Sequence, residues 1–80
     1  MKLPTGRQIA AARVLAGLQQ RELAREAKID PSTLNRMEGS GDSTVSGLAR
    51  NVESVVKALE RRGVEITEDS IRQVGKPKRR

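Results

Sequence analysis

The 80-residue sequence contains no cysteine and no histidine. It therefore lacks the side chains of disulfide frameworks and of ordinary zinc sites, which excludes most metalloenzymes. Phe, Tyr and Trp are also absent. Proteins that bind single-stranded DNA or RNA stack the bases on these residues. No run of about 18 apolar residues that could span a membrane is present, and residues 1–7 do not form a signal peptide. We expect a soluble cytoplasmic protein that holds no metal or cofactor and has no membrane partner.

The charge balance favours an anionic partner. The chain carries a formal net charge of +6 and has an isoelectric point of about 10.8. Lys76, Lys78, Arg79 and Arg80 supply four of these charges, so that only two remain on residues 1–75. Nucleic acid is a better match than an acidic protein or a membrane surface, and the missing aromatic residues favour double-stranded DNA. Because the folded part is only weakly basic, binding must depend on where individual charges are placed.

Three short helices are predicted in the first half of the chain. Thr5 and Gln8 form a capping-box pattern at the start of helix one, and Gly17 follows its expected end near residue 16. Helix two spans roughly residues 20–27 and a turn occupies residues 28–30. Asp30 then caps helix three, with Pro31 in its first position and its end near residue 38. The predicted core positions follow the helical period and are Ile9, Ala12, Leu15, Ala16, Leu23, Ala24, Ala27, Leu34 and Met37.

The second half contains a longer helix and a hairpin. Residues 39–43 have loop composition, and residues 44–50 can hold one short helical turn. Helix four is capped by Asn51 and ends at Gly63. Its predicted buried stripe is Val52, Val55, Val56 and Leu59, with Glu53 and Lys57 paired on the outer side. Residues 64–66 and 71–74 form the arms of a β-hairpin. We divide the chain into one domain, residues 1–74, and a basic tail, residues 75–80, which we expect to be disordered.

Helices two and three together have the layout of a DNA-binding unit. A helix fits the major groove of B-DNA, and its first turn brings free N–H groups and the positive end of its dipole near phosphate. Arg36 can donate two hydrogen bonds to a guanine edge, and Asn35 can pair with adenine or contact phosphate. Ser32 and Thr33 are short enough to let the helix approach the groove. Gln20, at the start of helix two, can donate to a phosphate.

These residues resemble a known family. The spacing of the helix-turn-helix segment is similar to that of the Cro/lambda-repressor-like, or XRE-type, regulators, and the matching residues are Gln20, Leu23, Ala24, Ile29, Ser32, Thr33, Leu34, Arg36, Met37 and Glu38. The first helix matches through Ile9, Ala12, Arg13, Leu15, Gly17 and Leu18. Residues 51–65 resemble the small bacterial members in which a strand follows the last helix. The resemblance covers residues 5–66. It implies an all-α, compact Cro/CI-like domain of four to five helices with a short C-terminal β-hairpin or strand.

The resemblance also implies a function and site residues. It implies a sequence-specific, usually dimeric transcription regulator that binds an operator in the nucleoid, most often as a repressor. Arg13 and Glu38 are expected to form an ion pair that joins helix one to helix three and orients the latter. The expected DNA contacts are Gln19, Gln20, Lys28, Pro31, Ser32, Thr33, Asn35, Arg36 and Ser40.

The sequence departs from the family pattern at three points. Lys28 occupies a turn position where glycine is common, and a left-handed conformation there costs roughly 1 kcal/mol. Gln19 stands where Ser or Thr would cap helix two, so we expect a weak cap. The loop at residues 39–50 is longer than that of the minimal domain. The sequence therefore does not determine which backbone groups contact phosphate.

Two further questions concern catalysis and partners. No nucleophile has a histidine partner and no glycine-rich phosphate loop occurs, so we expect no enzyme.

A protein-binding module of the same fold, such as an antiactivator or antitoxin, is the alternative function, and it would expose apolar residues on helix three. The tail is either a solvated end or a non-specific DNA contact. No small-molecule effector is expected.

We predict a homodimer formed at the C-terminal end of the domain. The two arms of a hairpin leave open strand edges, and so small a domain has little core of its own to cover their apolar side chains. The expected interface combines the rim of helix four with Val64, Ile66, Ile71 and Val74.

Overall fold

The computed structural model describes residues 4–41, 49–66 and 71–73. Within these ranges, four helices precede two short strands. The helices are α1 Gly6–Leu15, α2 Gln20–Ala27, α3 Pro31–Glu38 and α4 Ala49–Arg61, and the strands are β1 Val64–Ile66 and β2 Ile71–Gln73. The predicted all-α fold with a short C-terminal hairpin is therefore confirmed. The predicted basic tail, Val74 and most of the predicted turn at 44–50 lie outside the described residues.

The first helix begins and ends as its sequence predicts. The Thr5 hydroxyl oxygen accepts the N–H of Gln8 at 3.1 Å, and the Gln8 side-chain oxygen accepts the N–H of Thr5 at 2.9 Å. These reciprocal bonds satisfy two donors that a helix start leaves free. At the other end Gly17 has a φ of +76°, and the N–H of Leu18 bonds the carbonyl of Arg13 at 3.1 Å, as in a Schellman motif.

The second helix ends in the same motif without a glycine. Lys28 has φ 60° and ψ 44°, in the left-handed region. The N–H of Ile29 bonds the carbonyl of Ala24 at 3.0 Å, the counterpart of the bond that ends α1. An L-residue in this conformation costs roughly 1 kcal/mol relative to glycine. The sharp turn into α3 therefore carries a local strain that the surrounding packing must offset.

The start of the third helix differs in one detail from the prediction. Asp30 occupies the N-cap position, but its side chain makes no capping hydrogen bond. Only the Asp30 backbone takes part, because its carbonyl accepts the N–H of Thr33 at 3.0 Å and that of Leu34 at 3.1 Å, the first hydrogen bonds of the helix. Pro31 follows in the first helical position, as expected.

A single hydrophobic core lies between the helices and the first strand. Its buried members are Ile9, Ala12, Leu18, Leu23, Ala24, Ala27, Leu34, Met37, Val52, Val55, Ala58, Leu59 and Val64. The prediction that Leu15 belongs to this core is wrong, because its side chain is 44% exposed. With 3.6 residues per turn, Leu15 lies roughly 120° around α1 from Ile9, at the edge of the buried stripe.

The fourth helix begins three residues earlier than predicted, because a cap at Asn51 would make Val52 its first residue. Asn51 is its third residue rather than its cap, and the helix starts at Ala49. Ala and Arg are strong helix formers, which explains the extension through Ala49 and Arg50. On the outer side, the carboxylate of Glu53 lies 3.7 Å from the Lys57 ammonium, the predicted pair.

The hairpin packs back onto the helices. β1 and β2 are antiparallel, with Ile66 opposite Ile71. α1 packs against both strands, and α4 packs against β1. This support matters because a two-stranded hairpin is marginal by itself in water.

Candidate nucleic-acid interface

The third helix has a buried face and a polar outer face. Leu34 is fully buried and Met37 is 4% exposed. Pro31, Ser32, Asn35 and Arg36 are exposed, and Thr33 is half-buried. The structure therefore places five of the residues predicted to contact DNA on one short helix, with no large apolar side chain exposed among them.

A close backbone contact fixes the C-terminal end of this helix. A Cβ atom added at Gly6 would lie 2.3 Å from the Met37 carbonyl oxygen and 2.7 Å from that of Glu38. The N–H of Arg7 also donates to the Gly41 carbonyl oxygen at 2.8 Å. The N-terminal turn of α1 thus rests directly on the carbonyls that end α3. Only glycine permits this approach, and the sequence signal is a glycine in the first position of a helix.

Arg13 ties the same two helices together. Its Nε donates to Glu38 Oε2 at 2.8 Å and its Nη2 to Oε1 at 3.2 Å, so the guanidinium binds the carboxylate in a fork. Its Nη1 donates to the Leu18 carbonyl at 2.9 Å. The side chains of Arg13 and Glu38 are 19% and 8% exposed. The structure contains the ion pair that the family resemblance implies, and its partly buried, bidentate geometry is one that orients a helix firmly.

Gln20 extends this ion pair to the outer face of α3. Its Nε2 donates to Glu38 Oε1 at 3.0 Å and to Asn35 Oδ1 at 3.3 Å. Both amide hydrogens of Gln20 are therefore directed at protein acceptors. That Gln20 also donates to a phosphate stays a prediction.

The remaining predicted contacts lie around the helix-turn-helix. Gln19 and Lys28 are exposed at the two ends of α2. Gln19 makes no side-chain capping hydrogen bond, in line with the weak cap predicted, and the Glu22 carboxylate accepts the Gln19 N–H at 2.8 Å. Ser40 is half-buried, and its hydroxyl donates to the Met37 carbonyl at 2.8 Å. Ser40 therefore supports the end of α3.

One charged contact has no signal in the sequence. Arg62 Nε donates to Glu26 Oε1 at 3.2 Å, Arg62 Nη2 contacts Glu26 Oε2, and Arg61 Nη2 donates to the Glu26 carbonyl at 3.2 Å. The hydrogen bond from Arg62 lowers the pKa of the Glu26 carboxyl, although partial burial opposes the shift. This contact joins α2 to the end of α4. No local pattern could predict it, because 36 positions separate its partners.

The residues predicted for dimerisation differ in their exposure. Val64 is fully buried in the core of its own chain, so it offers no surface to a partner. Ile66 and Ile71 are half-buried and face each other across the hairpin. Among the described residues, the exposed large apolar side chains are Val14 at 67% and Leu15 at 44%. Both lie in the last turn of α1.

Comparison with known proteins agrees with this layout. A family model described as helix-turn-helix matches residues 9–68, which include all four helices except the first three residues of α1. The chain belongs to the XRE-type helix-turn-helix family. No curated protein shows a significant match to the sequence. Membership in this family, which is a DNA-binding regulatory family and not generally an enzymatic one, makes the chain a DNA-binding transcription regulator. None of the helices in residues 4–41 and 49–66 is long and apolar enough to cross a membrane.

Proposed function

We propose that the chain is a dimeric, sequence-specific repressor that binds an inverted-repeat operator through α3. The observation that carries the proposal is the outer face of this helix. Arg36 is exposed there, and no acceptor in the described part of the chain binds its guanidinium. A guanidinium on a helix surface with no internal partner is available to an external acceptor. The guanine edge has two acceptors whose spacing matches the paired N–H groups of a guanidinium.

The start of α3 supports the same assignment. Because the Asp30 side chain makes no cap, the N–H of Ser32 has no acceptor among the described residues. A free N–H at the positive end of a helix dipole is a suitable donor to a DNA phosphate. Phosphate contacts of this kind would fix the position of the helix in the groove, and Arg36 would then supply the base contact.

We propose that the second copy pairs through the hairpin. The cross-strand pair of Ile66 and Ile71 is only half-buried, and two paired strands leave outer edges that can bond another chain. Ile66→Asp should therefore yield a folded monomer, because a charge at this position cannot be buried against a copy of itself. Sedimentation measures the outcome, and an intact dimer would move the interface elsewhere. By analogy with the family, the regulated promoter is often the protein's own.

A gel-shift experiment tests the proposal. The probes are a duplex from upstream of the chain's own gene and a scrambled duplex of equal length. We expect preference for the first, with a log–log salt slope steeper than about −4 because a dimer displaces several counterions. Arg36→Ala should relax the preference by about 1 to 3 kcal/mol per half-site and change the unfolding free energy by less than about 0.5 kcal/mol. Binding without preference, or with no salt dependence, would contradict DNA recognition by α3.

One observation favours a second candidate, a module that binds and masks another protein. Val14 and Leu15 expose apolar surface at the end of α1. Exposed apolar groups of this kind are suited to protein contact. The gel shift separates the candidates, because a masking module would bind neither duplex with preference and would not respond to Arg36→Ala.

A further inference from the structure

The outer surface of α1 carries a small apolar face. Ala11, Val14 and Leu15 are exposed and lie three and four positions apart, so they are neighbours on one side of the helix. Val14 is 67% exposed, the highest value among the large apolar side chains of the described residues. Between residues 8 and 19 the one charged side chain is that of Arg13, which is bound to the end of α3. Ala11, Val14 and Leu15, which we call the α1 patch, therefore form a surface without charge.

The α1 patch is turned away from α3. Gly6 and Arg13 mark the side of α1 that contacts α3, through the close backbone approach and the ion pair. At about 100° per residue, Leu15 lies about 180° around the helix from Gly6 and about 160° from Arg13. Ala11 lies about 140° from Gly6. A partner seated on the patch therefore has no need to cover the outer face of α3.

The hairpin alone is too small to hold a stable dimer. A specific interface buries about 800 Å² on each partner and involves about 20 to 30 residues a side. Each strand has three residues. Val64 is fully buried, and Ile66 and Ile71 already pack against the core of their own chain. The hairpin can supply a strand edge, whereas most of the apolar contact must come from another element. α1 packs against both strands, so helix and hairpin can contribute to one interface.

Charge favours a second copy of the chain as the partner. Each copy carries a formal net charge of +6, so two copies repel each other. A surface without charge is the most favourable place for them to meet, and the α1 patch is such a surface. A different protein that is attracted to a chain with an isoelectric point of about 10.8 would use acidic groups, and the patch offers these no basic side chain.

We propose that the α1 patch is the apolar centre of a homodimer interface that continues onto the open edge of the hairpin. The inference rests on the proposed function, for which it identifies the larger part of the dimer surface. An interface between two copies related by a two-fold axis uses the same surface on both. Val14 and Leu15 of each chain are therefore buried against the other chain, which supplies the apolar area that the hairpin lacks.

A single lysine in the patch tests this assignment. Val14→Lys places two like charges in the buried interface, so we expect the dissociation constant of the dimer to rise on the order of a hundredfold or more. Leu15→Lys should have the same effect. Sedimentation equilibrium over a range of concentrations measures the constants. Because lysine is a good helix former and both positions are exposed, circular dichroism should show unchanged helix content.

Two controls separate the patch from net charge. Gln19→Lys adds the same charge at an exposed position outside the patch, and its dissociation constant should stay within about threefold of the wild-type value. Val14→Ile keeps an apolar side chain in the patch and should remain dimeric. Equal weakening by Gln19→Lys and Val14→Lys would show that net charge alone governs association, which would overturn the inference.

Ile66→Asp distinguishes this inference from the function on which it rests. Monomers for Ile66→Asp and for both lysine variants would support an interface that includes hairpin and patch. If Ile66→Asp is monomeric while the lysine variants stay dimeric, the patch is left to solvent or to another protein, and the inference is overturned while the hairpin dimer stands. If the lysine variants alone are monomeric, the patch holds the dimer and the hairpin contact fails. A wild-type chain that is monomeric at every concentration would overturn the proposed dimer and this inference with it.

Discussion

The Arg13–Glu38 and Arg62–Glu26 pairs each join two helices, and they differ in burial and in connection. Arg13 and Glu38 join α1 to α3, with side chains 19% and 8% exposed. Arg62 and Glu26 join the end of α4 to α2, with side chains 36% and 28% exposed. Glu38 also accepts a hydrogen bond from the Gln20 amide, and the same amide donates to Asn35 on the outer face of α3. The same pair of residue types therefore orients the proposed DNA-binding helix in one place and only joins helices in the other.

The difference follows from the surroundings of each pair. A salt bridge that faces water gains little, because the charges are well solvated when apart. A pair that is largely removed from water loses more when one partner is deleted, because the remaining charge stays partly buried. We therefore expect the α1–α3 contact to affect both stability and DNA binding, and the α2–α4 contact to affect stability alone and weakly.

The largest expected effect concerns the close approach of α1 to α3. Gly6→Ala places a methyl group 2.3 Å from the Met37 carbonyl oxygen and 2.5 Å from the Ser40 hydroxyl. Because backbone must move to relieve this overlap, we expect a loss of about 3 kcal/mol in the free energy of unfolding. Urea denaturation measures the loss, and DNA binding should weaken for all sequences because α3 is displaced.

Gly39→Ala is the matched control for this prediction. Its Cβ would lie 3.3 Å from the Asn35 carbonyl oxygen, and Gly39 has a φ of −71°, which every residue can adopt. We expect a change within about 0.5 kcal/mol. Equal losses of unfolding free energy for Gly6→Ala and Gly39→Ala would contradict this prediction. They would show that α1 does not approach α3 as closely as the structure indicates.

Local signals explain how much of the molecule could be predicted. The Thr5 capping box, the left-handed Gly17 and Pro31 at the start of α3 are each encoded within four neighbouring residues, and all three are present. Contacts between distant residues carry no such local signal, and the Arg13–Glu38 pair was expected only from the family resemblance. The Glu26–Arg62 pair and the use of Gln20 as a link to Asn35 depend on how α2 packs against its neighbours, which no single-sequence pattern determines.

The next effect compares the two pairs directly. Glu38→Ala leaves Arg13 without its partner and frees Gln20, so we expect a loss of about 2 kcal/mol in unfolding free energy, as for other charge-assisted hydrogen bonds. It should also reduce affinity for all DNA sequences together. Glu26→Ala should cost less than about 1 kcal/mol and leave DNA binding unchanged. Urea denaturation and the gel shift measure the two effects. A larger loss of unfolding free energy for Glu26→Ala than for Glu38→Ala would contradict the expected order of the two pairs.

The smallest effect is the acid sensitivity of the α2–α4 contact. The hydrogen bond from Arg62 lowers the pKa of Glu26 below its ordinary value of 4.5. A carboxyl with a lowered folded-state pKa contributes stability that is fully present above the ordinary value and is lost as the pH falls through the lowered one.

Wild-type protein should therefore lose this contribution on acidification below about pH 4.5, whereas Glu26→Gln has no carboxyl to protonate and should lose less. Because both side chains remain about a third exposed, the difference between the two acid losses should stay below roughly 1 kcal/mol. Urea denaturation at about pH 7 and about pH 3 measures it. Glu53→Gln is the matched control, since its pair with Lys57 is well exposed and it should follow the wild type. If Glu26→Gln loses as much stability as the wild type, then Arg62 does not bind the Glu26 carboxylate in solution.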